Sequence, residues 1–459
     1  MEQLTTTGQK ARDARSILSF LPIKTNEFSN TSLFEYFQNT WLLSDILYSS
    51  ITKTGAIYKA PDPLRHPLIF YLGHVAVFYI NILQRSGILQ RSVNKEYEDL
   101  FERGVDPVCT EELNSNLAWP KEEDVWHYRH QVFEVISELI EKNRVHHITP
   151  EDPLWALFMA IEHDRIHFET SSVLIRQYPT SFLTKPKGWD YAPFDNHSST
   201  LLKMVPVSEG VVQMGKHESF STFGWDNEYG HLKIKTPSFY ASNNLISNDE
   251  FKKFVLDGGY DEIRFWTNEG WTWKSQYKAQ HPKFWIHYGD LLLYRAMFDI
   301  IRFPSDWPVE VNFHEALAYC AWKGNKTRLL TEAEFERLAQ EVSSSTKDDI
   351  FFCSQYNLNL KYGSPCSVGN SISVDHNTEF NDIYGNVWQW IDNEFYPLPN
   401  FKSHYLYKEF SVPYFTPKHV MLKGGSWAST GTSASKYYRL WFRKHFIQHV
   451  GFRIAQDMS

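Results

Sequence analysis

Apolar residues recur at three- and four-residue spacing through the first part of the chain, a pattern that predicts amphipathic helices. Four segments show it clearly: 33–52, 65–86, 124–143 and 150–177. Because helices of this length can bury one another's apolar faces, we expect a four-helix bundle. The last helix also has a start signal, since Thr149 can cap it and Pro150 fits its first position.

After Tyr178 and Pro179 the pattern changes to prolines, glycines and short apolar or aromatic runs, which predict short strands and long loops. Three helices are expected there, at 247–256, 312–323 and Thr331–Gln340. The chain is therefore predicted to be an α+β protein with two domains and a linker between them. The predicted bounds are 1–183 for the helical domain, 184–197 for the linker and 198–459 for the second domain.

Composition narrows the class of protein. Fifty-four acidic and 46 basic residues leave a net charge of −8, which argues against a nucleic-acid partner or an anionic membrane surface. The four cysteines have no paired CxxC spacing, and the N-terminus lacks the apolar core of a signal peptide, so we expect a cytoplasmic protein. The apolar segment Leu68–Leu83 contains Gly73 and Asn81 and is expected to be a buried bundle helix rather than a membrane span.

Three histidines are the candidates for chemistry. His163 and His167 are four residues apart in a predicted helix, so both imidazoles project from one face and can reach one metal ion. His74 lies in an earlier apolar segment, where a buried imidazole needs a polar partner or a metal. Together they predict a facial metal site with open coordination positions. Chance pairing remains an alternative, because the chain has 19 histidines.

The identity of the metal is a separate question. The His-x-x-x-His spelling resembles the zinc protease signature, but that mechanism needs a Glu after the first histidine, and this chain has Asp164. Three neutral histidines leave the charge of a divalent ion uncompensated, so that an anionic thiolate can bind it directly. Iron(II) acting with a thiol and dioxygen fits this reasoning.

The second half carries three motifs in a fixed order: Gly385–Trp390 (GNVWQW), Lys423–Trp427 (KGGSW) and Gly451–Arg453 (GFR). Each taken alone is also compatible with structural glycines and aromatic packing. As an ordered set they resemble the formylglycine-generating enzyme (sulfatase-modifying factor) domain, which has a C-type-lectin-like fold. The first half resembles a DinB-type four-helix bundle.

The two halves together resemble the nonheme iron sulfoxide synthases of thiohistidine biosynthesis. Within that family the chain looks most like the 5-histidylcysteine sulfoxide synthases, which act first in ovothiol biosynthesis. The resemblance is carried by four runs: His66–His74, Ile161–Gln177 (IEHDRIHFETSSVLIRQ), Gly224–Gly230 (GWDNEYG) and Gly424–Gly431 (GGSWASTG).

The resemblance implies that His74, His163 and His167 are iron(II) ligands. Ergothioneine-pathway relatives tend to have a Gln before the last ligand, whereas this chain has Ile166, which favours histidine over hercynine as the acceptor. The catalytic tyrosine of the relatives is expected at Tyr396, with packing under Pro397 as the alternative.

Substrate carboxylates require cations, preferably a guanidinium. The candidates are Arg439, Arg443 and Arg129, each of which could instead be a structural ion-pair partner. Ser426 and Trp427 are expected to line the pocket, where neighbouring glycines permit close approach of the backbone.

The resulting hypothesis is a dioxygen-dependent enzyme that joins the sulfur of cysteine to the imidazole of histidine as a sulfoxide. The alternatives are a relative that uses hercynine or a selenium donor, one that mainly oxidises cysteine, and a noncatalytic lectin-like binding module. Many ovothiol enzymes continue into a methyltransferase domain, so here we expect a separate protein to methylate the product. No cysteine follows Cys366, so the copper-binding pair of true formylglycine-generating enzymes is missing and sulfatase activation is not expected.

Overall fold

The computed structural model describes residues 17–102, 113, 117–143, 147–193, 201–342, 355–369 and 379–458. Residues 194–197 of the predicted linker, and Cys109 and Cys353, lie outside these ranges. The first half contains five helices within its described part: α1 (Asn30–Ser49), α2 (Leu68–Arg85), α3 (Lys95–Leu100), α4 (Glu122–Lys142) and α5 (Trp155–Arg176). The four long ones confirm the predicted helices, and the short α3 is additional.

The four long helices pack as a bundle. Helix α1 contacts α4 and α5, and α2 contacts the same two from the other side. Helix α2 is long and apolar enough to cross a membrane by length and composition, but most of its residues are buried inside the fold. The helix is apolar along its whole length because it lies inside the fold, where all its faces pack against protein.

Helix α5 does not begin where the capping pattern predicted. It begins at Trp155, and Thr149 and Pro150 belong to the preceding turn, in which the amide of Asp152 donates to the carbonyl of Thr149 at 2.9 Å. Pro153 disfavours helical backbone at Asp152, the residue before it, so the helix starts only after this proline. The Asp152 carboxylate instead accepts from the amide of Leu154 at 2.8 Å.

The second half is built from short strands, which form two four-stranded and two smaller sheets among its described residues. Its strands are β1 (Met204–Val207), β2 (Gly210–Met214), β3 (Leu232–Thr236), β4 (Phe239–Ser242), β5 (Trp285–Tyr288), β6 (Leu291–Arg295), β7 (Ile300–Arg302), β8 (Arg328–Leu329), β9 (Trp388–Glu394), β10 (His419–Lys423), β11 (Leu440–Arg443), β12 (Val450–Gly451) and β13 (Ile454–Asp457). The larger sheets have the orders β1-β4-β13-β8 and β11-β10-β9-β12. All of their pairs are antiparallel except β9 with β12.

Four helices accompany these strands: α6 (Asn248–Leu256), α7 (Asn268–Tyr277), α8 (Phe313–Lys323) and α9 (Glu332–Val342). Helices α6, α8 and α9 confirm the three predicted ones, whereas α7 was not expected from the pattern. The α+β class is confirmed in its coarse form, as a mixture of helices and sheets. Buried apolar residues of both halves join in one continuous core.

One face of α5 is fixed to the second half by buried charged groups. Glu162, Glu169 and Arg176 are seven residues apart, so they project from one side of the helix, and all three are buried. Each of the three contacts the second half through hydrogen bonds or an ion pair. Glu162 accepts from Thr432 (2.7 and 2.8 Å), and Arg176 forms an ion pair with Glu310 (2.8 Å). Glu169 accepts from Trp388 (2.7 Å), from Ser426, and from Ser429 (2.9 and 3.0 Å). We call these three residues the anchor row.

The ion pair between Arg176 and Glu310 is the most deeply buried part of the anchor row. Burial raises the pKa of Glu310, but the charge of Arg176 and a hydrogen bond from His449 act more strongly and bring it down to about 2. Arg176 also donates to the carbonyl of Arg295 at 2.8 Å and stacks on Phe284, with its Cζ 3.5 Å from the ring centre. Each charge therefore depends on the other remaining in place.

We predict that Glu310→Gln lowers the free energy of unfolding by about 3–5 kcal/mol, because it leaves the charge of Arg176 buried without its partner. The double variant Arg176→Met/Glu310→Gln should lose less than this, since neither charge then remains. Urea unfolding of the wild type, both single variants and the double variant measures the difference. A double variant whose loss equals the sum of the two single losses would contradict the pairing.

The pH dependence of unfolding provides the control. The pKa of Glu310 is lower in the folded chain than the ordinary value of 4.5, so its ionisation stabilises the fold fully above that value. This contribution is lost as the pH falls from 4.5 towards 2, and the double variant should lack that part of the acid destabilisation.

Candidate metal centre and adjoining cavity

Helices α2 and α5 bring the three predicted histidines together. One ring nitrogen from each of His74, His163 and His167 lies within 4.8 Å of the other two, and all three residues are buried. Nε2 of His163 and Nε2 of His167 are 3.2 Å apart. Two nitrogens about 2.1 Å from one ion, at an angle of about 100°, would have this separation. The one-turn spacing in the sequence therefore produces a metal-sized arrangement.

The protonation of the cluster also suits a metal. Nδ1 of His74 must donate to the carbonyl of Phe101 at 2.7 Å, which leaves Nε2 with its lone pair, and no described residue hydrogen-bonds to that atom. Burial lowers the pKa of His74 to about 4. Burial, and then the neighbouring imidazoles, hold the pKa values of His163 and His167 well below 6.5. Neutral imidazoles are the form that binds metal ions, so the residues present fit one.

Aromatic rings hold two of the imidazoles in place. Phe78 stacks on His163 with ring centres 3.6 Å apart, and Phe70 stacks on His74 at 5.2 Å. Asp164, the residue at the position of the zinc protease Glu, faces the bundle and its carboxylate accepts from the hydroxyl of Ser44 at 2.5 Å. Asp164 is therefore not available as a general base over the cluster.

A cavity that opens to solvent adjoins the cluster. Helix α5 contributes one wall through residues at helical spacing, among them His163, Ile166, His167 and Thr170. The facing walls come from residues 407–414 and 438–442 of the second half. The cavity thus lies between the two halves, and the anchor row determines how far apart its walls are.

Two of the predicted substrate contacts lie in this cavity. Ile166 lines it together with the two histidines of α5. Arg439 also lines it, but its guanidinium is bound to Glu332 through Nε at 2.8 Å and Nη2 at 3.1 Å. A third bond, from Nη1 to the carbonyl of Asn227 at 3.0 Å, holds the group in place. Arg439 therefore has the structural role that was the alternative.

The other four predicted contacts lie elsewhere. The Ser426 hydroxyl donates to Glu169 of the anchor row, and Trp427 packs against Trp189 and His449 at 6.0 and 4.6 Å between ring centres. Arg129 pairs with Asp45 at 2.7 Å inside the bundle. Arg443 is buried in β11 and is not among the residues of the cavity wall. For Ser426 and Arg129 the physical reason is that a carboxylate of the fold already binds the polar group.

The predicted catalytic tyrosine also lies behind the cavity wall. The Tyr396 hydroxyl donates to Glu332 at 2.6 Å, and its ring is 4.9 Å from Cζ of Arg439, which separates it from the cavity. Two phenols that line the cavity lie beside the histidines: the ring centre of Tyr407 is 6.1 Å from that of His163, and the ring centre of Tyr71 is 6.2 Å from that of His167. No spacing rule singled out Tyr407 among 25 tyrosines, because it reaches the cluster from a loop far along the chain.

Sequence comparison relates the chain to a known protein family and to several known proteins. A family profile described as the sulfatase-modifying factor enzyme 1-like domain matches residues 191–458, more than half of the chain. The chain is 26% identical to the hercynine oxygenase of Mycolicibacterium smegmatis over 430 residues, covering 88% of this chain and 94% of that protein. It is 23% identical to ergothioneine biosynthesis protein 1 of Schizosaccharomyces pombe, covering 92% and 55%. It is 30% identical to the formylglycine-generating enzyme of Mus musculus over 150 residues, covering 30% and 39%.

We predict that His167→Ala abolishes stoichiometric binding of a divalent metal, because two nitrogens cannot replace a facial set of three. Metal content after anaerobic loading and desalting measures the effect, and circular dichroism checks the fold. The matched control is His147→Ala, an exposed histidine outside the cluster, which should bind metal like the wild type. Full metal content in His167→Ala would show that the cluster is not the site.

Proposed function

The chain belongs to the sulfatase-modifying factor enzyme 1-like family, and from this premise we propose that it is an iron-dependent sulfoxide synthase that joins cysteine to histidine. The observation that carries the proposal is the cluster of three buried neutral histidines at the end of a cavity between the halves. The relatives described as hercynine oxygenases support an oxidative reaction on an imidazole compound. That the acceptor is histidine and not hercynine is part of the proposal.

His74, His163 and His167 would hold the metal, and Phe70 and Phe78 keep the first two imidazoles from rotating. Iron(II) in such a site supplies open coordination positions for a thiolate and the redox chemistry that dioxygen requires. The three ligands are neutral, so the site favours an anionic partner such as a thiolate. Iron is proposed over zinc because the proposed reaction consumes dioxygen, and zinc has no redox chemistry.

The cavity would bring the reactants together beside the cluster. Its walls include the aromatic and aliphatic side chains of Leu174, Phe410 and Trp441. In the proposed reaction the S–H bond of cysteine and one imidazole C–H bond are broken and a C–S bond forms. One oxygen atom of dioxygen ends in the sulfoxide and the other leaves as water, so atoms and electrons balance.

Ile166 bears on the choice of acceptor. Its aliphatic side chain lies in the cavity wall together with His163 and His167 and can pack against an imidazole. Ergothioneine-pathway relatives tend to have a Gln at this position, so the proposed acceptor is histidine. A second candidate is hercynine, because Phe410, Tyr414 and Trp441 form an aromatic wall of the kind that attracts a quaternary ammonium group.

Tyr407 is the residue that we propose as proton donor. Burial raises the pKa of its hydroxyl well above 10, so the phenol keeps its proton at neutral pH. It lines the cavity beside His163, whereas the hydroxyl of Tyr396 is bonded to Glu332. A proton held at this hydroxyl can be passed to an oxygen atom of the reacting group.

Other parts of the hypothesis remain predictions. These are the likeness of the helical half to a DinB-type bundle, the domain bounds, the cytoplasmic location, and a separate methyltransferase for later steps.

We predict that the iron-loaded protein, given cysteine and dioxygen, forms a thioether sulfoxide with histidine. Mass spectrometry with histidine or hercynine, together or alone, identifies the product and the preferred acceptor. An adduct found with hercynine only would support the second candidate and overturn the first. Cysteine oxidation without any adduct would indicate a thiol dioxygenase, and no oxygen uptake under any pairing would indicate a binding module.

We predict that Tyr407→Phe lowers the rate of sulfoxide formation by roughly 100-fold, the usual scale for loss of a general acid, while metal content is unchanged. The matched variant Tyr396→Phe removes a hydroxyl of the same type that bonds to Glu332, and should retain most of the rate. Single-turnover product analysis of both variants measures the effect. A loss in Tyr396→Phe with a normal rate in Tyr407→Phe would restore the assignment made from the sequence.

A further inference from the structure

One run that carries the family resemblance, Gly224–Gly230 (GWDNEYG), contributes no residue to the described wall of the cavity. Three consecutive polar residues of this run are nevertheless buried: Asp226 is 7% exposed, and Asn227 and Glu228 are fully buried. A buried carboxylate requires hydrogen-bond partners that offset the loss of water. The partners of Asp226 therefore indicate what the run holds in place.

Asp226 joins the two ends of one loop in the second half. Its Oδ1 accepts from the hydroxyl of Ser411, and its Oδ2 accepts from the amide of His404 at 3.4 Å. Tyr407 lies near the middle of the segment between these partners, so we call residues 404–411 the tyrosine loop. Burial raises the pKa of Asp226 to about 6, and the hydrogen bonds from Ser411 and His404 oppose this rise. The carboxylate is therefore mostly ionised at neutral pH, and its hydrogen bonds are charge-assisted.

The tyrosine loop reaches the histidine cluster through Tyr407. The ring centre of Tyr407 is 5.0 Å from that of Phe78, which stacks on His163. It is 6.1 Å from the ring centre of His163 itself. The position of the loop therefore sets the distance from this phenol to the cluster.

Other contacts also hold the tyrosine loop. Trp225, next to Asp226 in the chain, stacks on Phe410 with ring centres 3.8 Å apart. Nε2 of His404 donates to the carbonyl of Pro150, in the turn before α5, at 3.0 Å. Because these contacts do not involve the Asp226 carboxylate, its removal should loosen the loop without unfolding the chain.

We propose that Asp226 is a positioning residue for the reaction, because its carboxylate closes the tyrosine loop and so keeps Tyr407 beside the histidine cluster. This inference rests on the proposed function, in which Tyr407 holds the proton that is transferred. A proton donor acts only within hydrogen-bond reach of its acceptor, so a displaced phenol transfers its proton slowly. Asp226 is not part of the described cavity wall, and its effect on the rate should pass through Tyr407.

Two substitutions at Asp226 separate the closing of the loop from the negative charge. We expect Asp226→Ala to lower the rate of sulfoxide formation by roughly 10- to 100-fold in single-turnover product analysis, the scale of a small displacement of a catalytic group. Asp226→Asn should retain most of the rate, because its amide can accept from His404 and donate to the hydroxyl of Ser411. The matched control Asp290→Ala, exposed in the turn between β5 and β6, should react like the wild type. Metal content and circular dichroism should be unchanged in all three variants.

The combination with Tyr407→Phe distinguishes positioning from a general structural loss. Without the phenol there is no hydroxyl to place, so adding Asp226→Ala should lower the rate of Tyr407→Phe by no more than about twofold. If Asp226→Ala lowers the rate by the same factor with and without the Tyr407 hydroxyl, the positioning role is overturned. A wild-type rate in Asp226→Ala would overturn it as well.

Hydrogen exchange tests the loop independently of the reaction. The amides of Tyr407 and Phe410 donate to carbonyls within the loop at 3.3 and 3.4 Å. Asp226→Ala should speed their exchange by about 10-fold, the scale of one lost charge-assisted hydrogen bond, while the amides of β10 exchange as in the wild type. Unchanged exchange in the loop would overturn the inference and leave the proposed function standing. A wild type that forms no sulfoxide would overturn the proposed function, and exchange alone would then decide whether Asp226 closes the loop.

Discussion

The structure depends on one helix that serves two faces at once. Helix α5 presents two of the clustered histidines on one side and the anchor row of Glu162, Glu169 and Arg176 on another. Buried charges are tolerated only when their partners are held in place, so the anchor row requires the second half to sit in one position. The distance from the histidines to the facing wall of the cavity follows from that requirement.

This constraint explains why the glycine- and tryptophan-containing motifs of the second half are not themselves cavity walls. Ser426 and Ser429 follow Gly424 and Gly425, and their hydroxyls donate to the carboxylate of the anchor residue Glu169. Gly431 has a positive φ of 60°, and a Cβ atom added there would lie 2.4 Å from the Glu162 carboxylate. Glycine at this place therefore lets a buried carboxylate approach the backbone. These motifs act by docking the ligand helix.

The electrostatics of the cavity follow from the same arrangement. The histidines are neutral because they are buried, and Arg439 is neutralised by Glu332. The described part of the chain therefore offers neutral candidate ligands for a cation and an aromatic wall beside them. Tyr407 adds a phenol that burial keeps protonated.

Local features of the chain were predicted well. The periodicity predicted the four long helices of the first half, because a helix that packs on one side repeats its apolar residues every turn. The three histidines were also predicted as a group, since i and i+4 neighbours on a helix must share a face. The start of α5 was misplaced because Pro153 acts on its neighbour more strongly than the capping pattern does.

The residues that approach the cluster from far along the chain were decided by the tertiary structure alone. Tyr407 is separated from α5 by a long stretch of sequence, and no periodicity connects it with that helix. The arginines and Trp427 were predicted as substrate contacts from their residue type. Residue type does not tell whether a side chain faces a cavity or a buried partner. By itself the sequence determined which helices form and which histidines share a face, because those depend on neighbours within one turn. The tertiary structure decided which groups face the cavity, because that depends on how the two halves satisfy one another's buried charges.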